Sequence, residues 1–194
     1  MKALTLTQPY ASLVAILAKG IETRSWGTRY RGTLAIHAAK RFPPEARDLL
    51  GRDPFRSVLR EAIADGRLTL VDGELPVGAI VAVARLVHVQ RFGADAYGRV
   101  RLAARRGSLA RYEHCFGGFN EGRYGFHLAE VRRLRTAVPC RGALGLWDVP
   151  AALEVALAEA GTETGRTGLR PRPSPDLPET TTAPEGAERT VEAD

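Results

Sequence analysis

From Gly78 to Val89 the chain is apolar almost without a break, reading Gly-Ala-Ile-Val-Ala-Val-Ala-Arg-Leu-Val-His-Val. A half-exposed strand alternates apolar and polar residues, so a run without alternation reads as a strand buried on both faces. Whatever this chain folds into must cover that strand twice. Thr33 to Ala38 is patterned differently: Leu34, Ile36 and Ala38 make an apolar face, while Thr33, Ala35, His37 and Ala39 lie opposite. Leu4-Thr5-Leu6 adds a short strand, and Tyr124 to Leu134 and Gly142 to Val149 supply the last two. Strands near 3–6, 21–25, 33–38, 79–89, 124–134 and 143–148 are expected to close into one barrel-like sheet.

Helical signals fall between these strands. Thr7 or Gln8 can cap a first helix, Pro9 suits its first position, and Gly20 suits the position past its end. Tyr10, Leu13, Val14 and Leu17 would share one of its faces. Pro43-Pro44-Glu45 opens a second helix, Asp53-Pro54 interrupts it, and Phe55, Val58, Leu59, Ala62 and Ile63 continue it to Gly66. Ala94 to Arg106 predicts a helix with a basic face. The following Cys115-Phe116-Gly117-Gly118-Phe119 reads as a turn or as a lid over a cleft.

Residues 19 to 37 carry the densest chemistry. On a strand, Glu22, Arg24 and Trp26 point one way and Ile21 and Thr23 the other, and Lys19 at the preceding turn reaches the same side. Three ionisable groups and an indole would converge where a small polar ligand can sit. His37, flanked by small residues on its strand face, would line the same floor. Gln8 and Tyr10 sit at the start of a helix, where free N–H groups favour an anion. Arg29, Arg31 and Lys40 add positive charge around the cluster.

These residues resemble a known family. Thr7-Gln8-Pro9-Tyr10-Ala11, Lys19-x-x-Glu22-x-Arg24-Ser25-Trp26, Tyr30-Arg31-Gly32 and Ile36-His37-Ala38-Ala39-Lys40 look like the bacterial ASCH domains, named for homology to an activating signal cointegrator. Leu75-Pro76-x-Gly78-Ala79-Ile80-Val81, Gly122-Arg123-Tyr124 and Arg141-Gly142-x-x-Gly145-Leu146-Trp147 are similar to that family as well. The resemblance runs in order over residues 1 to about 150. It implies an α+β fold, a PUA-like β-barrel with packed helices, and a cleft for RNA or a nucleoside. Some small members of the family hydrolyse the amide of acetylated cytidine with a Lys-x-x-Thr-x-Arg motif and a distant glutamate; others are linked to RNA binding or cleavage. Lys19 and Arg24 match that motif, but Glu22 stands at the threonine. A carboxylate can act as a base or orient water, but it cannot do the hydroxyl's work unchanged, so the nucleophile does not carry over.

Charge is unevenly placed. Residues 1–150 are strongly basic and residues 151–194 acidic, and most basic residues are arginine, which forks to phosphate and stacks on bases. A basic domain favours a polyanionic partner. Cys115 and Cys140 are too few for a disulfide framework, and with His114 and His127 they match no known zinc spacing. No cofactor and no metal is expected. The sequence has no apolar run of membrane-spanning length and opens on a strand, which gives a cytoplasmic expectation.

The division expected is a domain at 1–150, a short helical extension at 151–160, and a disordered acidic, Pro- and Thr-rich tail at 161–194. That tail lacks the apolar residues to offset its ordering entropy. Two functions compete. As a binder, Arg24 and Lys19 hold the phosphate or base edge; as a hydrolase of RNA or acylated nucleosides, Lys19 and Glu22 form the acid/base pair. A protein-interaction module built on the arginine-rich insertion 92–122 is the weaker alternative. Burial of Lys19 beside Glu22 favours the enzyme, and exposure of both favours plain binding.

Overall fold

A computed structural model describes residues 1–108 and 110–164. Strands β4 (Ala79–Arg91) and β5 (Tyr124–Pro139) form its longest ladder, and the rest of one mixed sheet is built outward from them. Beyond β4 come β3 (Gly32–Ala38), β1 (Lys2–Leu6) and β6 (Leu146–Asp148). Against β5 lie β2 (Ile21–Arg24) near its start and β7 (Thr162–Thr164) near its middle. Every pair is antiparallel except β1 with β3. The β4–β5 register shifts between Ile80 and Ala82, Val83 and Arg85, and Leu86 and His88. Each such bulge adds local twist, and three in one ladder roll the sheet.

The apolar run does receive its double cover, over its first half. Val81, Ala82, Ala84 and Leu86 join Leu4, Leu6, Leu34, Ile36 and Phe126 in an inner core closed by helix α1 (Tyr10–Ala15). Ile80 and Val83 join Ala3, Ala35, Leu134 and Val138 on the other face, covered by helix α5 (Ala151–Glu159) through Leu157. Beyond α1, helices α2 (Pro44–Arg47) and α3 (Phe55–Ala64) build a third layer, with Phe55, Leu59 and Ala62 against Leu13, Ile16 and Phe116. Helix α4 (Ala96–Arg105) seats Ala96 and Val100 on Ile21, Phe92 and Phe119.

This is the α+β arrangement read from the sequence, with all six expected strands in one curled sheet. The ladder does not run the full circle: its path ends at β2 and β6. A side chain spans the opening instead, Arg24 Nη2 donating to the Thr5 carbonyl at 2.5 Å.

Three expectations are corrected. Helix α1 stops at Ala15 rather than running to Gly20: Leu17 takes a left-handed conformation at φ 63°, and the N–H groups of Ala18 and Lys19 both fold back to the Leu13 carbonyl. The early stop lets Leu17 pack on the inner core and turns Lys19 inward. The last expected strand shrinks to Leu146–Asp148, because Gly142 and Ala143 pack as a loop over His37 and Thr5. The helical stretch expected at 151–160 is present as α5, which supplies the cover for the second sheet face. The boundary at 161 moves as well: Thr162–Thr164 pair with Arg132–Leu134. The remainder of the expected disordered tail, 165–194, lies outside the described residues.

Candidate functional site

Strand β2 places the cluster. Its register partners are Phe126 for Glu22 and Tyr124 for Arg24, so both side chains face the inside of the curl, where those aromatics pack. Thr23 and Ile21 face outward, and Ile21 carries α4.

Lys19 is only 1% exposed. Its ammonium donates to the carbonyls of Ile21 at 2.5 Å and Phe116 at 2.6 Å, and stands 3.5 Å from Glu22 Oε2. Two of its N–H groups are spent on those carbonyls, and Glu22 supplies the counter-charge. The other oxygen of Glu22 lies 3.2 Å from Arg24 Nε, an ion pair without hydrogen-bond geometry, so the carboxylate stands between two cations. Arg24 uses Nη2 on the Thr5 carbonyl, and Nη1 donates to no group among the described residues. With a quarter of its side chain exposed, Arg24 is the one cation of the trio open to an incoming ligand.

A second carboxylate escaped the sequence reading. Glu113, fully buried, accepts from the backbone N–H groups of Gly20 at 2.6 Å and Ile21 at 3.0 Å. Burial pushes its pKa up, against the pull of Lys19 and of those two hydrogen bonds. Nothing in the local sequence marks it, because its partners lie more than ninety residues upstream. Phe116 is likewise a core residue whose carbonyl anchors Lys19. Phe116 and Phe119 are both buried, so the glycine-rich segment expected as a turn or a lid is a packed plug.

The remaining candidates divide. Tyr10 joins the cluster: its ring centroid lies 5.8 Å from Lys19 Nζ, and burial, then the Glu22 charge, raises its phenol pKa. Trp26 stacks edge-on against Phe126 at 5.1 Å, half exposed on the same face. Gln8 is wholly buried, its Nε2 donating to the Pro76 carbonyl and its Oε1 accepting from the Ser12 N–H, so it ties α1 to a loop and shows no surface to a ligand. Arg29, Arg31 and Lys40 are exposed, and Arg31 folds back onto the Thr28 and Tyr30 carbonyls.

His37 does not line this floor. It is 1% exposed and belongs to the opposite sheet face, edge-on to Trp147 at 5.8 Å and 3.2 Å from the Cys140 carbonyl through Nε2. Burial lowers its pKa, partly countered by that hydrogen bond. Its Nδ1 has no partner, because the backbone of Gly142 lies over it. His37 is a packed core histidine.

Two surface hollows, one beside Thr33, Arg85, Glu130 and Arg132 and one between α3 and Leu70–Leu75, include none of the cluster residues. No helix among the described residues is long and apolar enough to cross a membrane.

No family model and no curated protein matches the chain. Among solved structures it is similar to ASCH from Zymomonas mobilis, at 12% identity and a TM-score of 0.45 over 84% of this chain and 96% of that one. It is similar to a point mutant of the same protein at 13% identity and 0.46, over 84% and 98%.

Proposed function

We propose that the chain binds RNA or a modified nucleoside at the inner face of β2, with Arg24 as the principal contact. The observation that carries this reading is the state of Arg24. Its guanidinium is fixed by Glu22 and by the Thr5 carbonyl, yet it is partly exposed with Nη1 unspent. A pre-oriented guanidinium with free donors suits a phosphate or a base edge and has lost its rotamer entropy before the ligand arrives. Trp26, Tyr30 and Tyr124, all half-buried on the same inner core, offer aromatic surface for stacking a base. The motif resemblance to ASCH domains supports the same ligand class. The test is titration of mononucleosides and short RNA into the wild type and Arg24→Ala. Equal affinities for both proteins would defeat the reading.

A hydrolase is the second reading, favoured by the burial of Lys19 beside Glu22. In it Glu22, oriented by Lys19 and Arg24, takes a proton from water attacking an acylated nucleoside or an RNA phosphodiester. Held by two carbonyls and paired with Glu22, Lys19 acts in this reading as a positioning group. Incubation with RNA digests and a panel of acylated nucleosides, read by mass spectrometry, separates the two. Turnover abolished in Glu22→Gln supports the hydrolase, and intact substrates throughout leave binding alone.

A further inference from the structure

Arginine is the common cation of this surface, and outside residues 91–111 about half of the described arginines sit beside an acid. Arg56 lies 2.5 Å from Asp53, Arg67 2.8 Å from Asp65, Arg47 3.5 Å from Glu74, and Arg85 3.6 Å from Glu130. One segment is poorer in acids. Residues 91–111 hold six arginines and a single carboxylate, Asp95, which Arg99 takes at 2.8 Å. Arg91, Arg101, Arg105 and Arg106 have no carboxylate within ion-pair distance among the described residues, and all four are exposed.

Helix α4 sorts these residues by face. Ala96, Val100 and Ala104 are buried, while Tyr97, Arg101 and Arg105 fall four residues apart along an exposed ridge. Like charges at that spacing destabilise a helix. Arg105 and Arg106 recover part of this from the helix C-terminus, whereas Arg101 sits mid-helix and gains nothing there. Of the six arginines in this segment only Arg99 has an acid partner among the described residues, so most of its positive charge is locally unbalanced. A polyanion would supply the missing counter-charge.

We infer that α4 is a phosphate rail that extends the nucleic-acid site, so that the ligand is a single RNA strand of several nucleotides rather than a free nucleoside. This rests on the proposed contact at Arg24. The two surfaces stand back to back across β2: Ile21 seats α4, and Glu22, the next residue, faces the inner cluster. A strand leaving Arg24 turns past half-exposed Trp26 and exposed Arg29 at the end of β2, then lays its phosphates on Arg101 and Arg105 with Tyr97 beneath a base.

The experiment is a salt series of binding between the full chain and a labelled single-stranded oligoribonucleotide of mixed sequence. The proteins are wild type, Arg101→Gln with Arg105→Gln, and Arg24→Ala; glutamine keeps helix propensity, and circular dichroism checks that α4 persists. Each lost phosphate contact should lower the slope of log affinity against log salt by about 0.7, so the double variant should lose about 1.4. It should bind a mononucleoside as the wild type does. An unchanged slope in the double variant, or no RNA binding by the wild type, overturns the rail. Mononucleoside binding that survives Arg24→Ala defeats the inner-face reading instead, and a slope lost in the double variant then still upholds α4.

Discussion

Arg24 and Thr5 join the two ends of the curled sheet: the guanidinium on β2 donates to a backbone carbonyl on β1 at 2.5 Å, although β5, β4 and β3 separate those strands in the ladder. That carbonyl is available because β6 pairs with β1 only from Lys2 to Leu4. The proposed ligand contact therefore also holds the fold's opening at its width.

Arg24→Lys should lose both roles, since an ammonium cannot bridge Glu22 and Thr5 in one plane. A stability loss of about 1–3 kcal/mol is expected from the broken charge-assisted hydrogen bond, visible in urea melts alongside weaker binding. A variant as stable as the wild type would show that the bridge does not hold the curl.

Lys19→Met removes the cation that Glu22 and Glu113 share, leaving Glu22 with Arg24 alone and Glu113 with only its two backbone hydrogen bonds. The expected cost is about 3–5 kcal/mol, enough to lower the melting temperature by many degrees. A small change would mean that the ammonium contributes little to the packing of the Phe116 plug.

His37 and His127 both have lowered pKa values, His37 by burial and His127 by burial and then the neighbouring His88. The unfolded chain binds protons that the native state resists, so their contribution is full above the ordinary histidine range near 6.5 and falls as pH drops below it. Replacing both with glutamine should flatten stability between about pH 5 and 7 in denaturant melts. Glu113 works in the opposite sense: with its pKa raised, the native state holds a proton more tightly, and stability falls as pH rises above the ordinary carboxylate value of 4.5. An unchanged slope in Glu113→Gln would remove that carboxyl from the account.

A methyl at Gly142 would clash with His37 Cε1 and stand 2.8 Å from Thr5 Oγ1. Gly142→Ala should therefore cost about 1–3 kcal/mol by overpacking. Pairing it with His37→Ser should restore part of the loss, a coupling that a double-mutant cycle reads directly.

The element list was legible because its signals are local. Alternation at Thr33 to Ala38, the apolar run from Gly78 and the helical spacing after Phe55 each depend on neighbours a few residues apart. The convergence of Lys19, Glu22 and Arg24 was readable for the same reason, since one turn and one strand carry all three. His37 was misplaced because alternation sorts the two faces of a single strand but does not say which face of one strand continues which face of another. That choice belongs to the pairing registers: β2 on β5 put Glu22 beside Phe126, and β3 on β1 and β4 left His37 beneath Trp147. Glu113 and Phe116 were invisible for a related reason: they act on Gly20, Ile21 and Lys19 through backbone groups, which carry no residue identity for a sequence to display. Sequence alone determined the strands, the helices and the cluster of charge on β2; only the rolled sheet decided which groups are spent inside the protein and which, like Arg24, are left for a ligand.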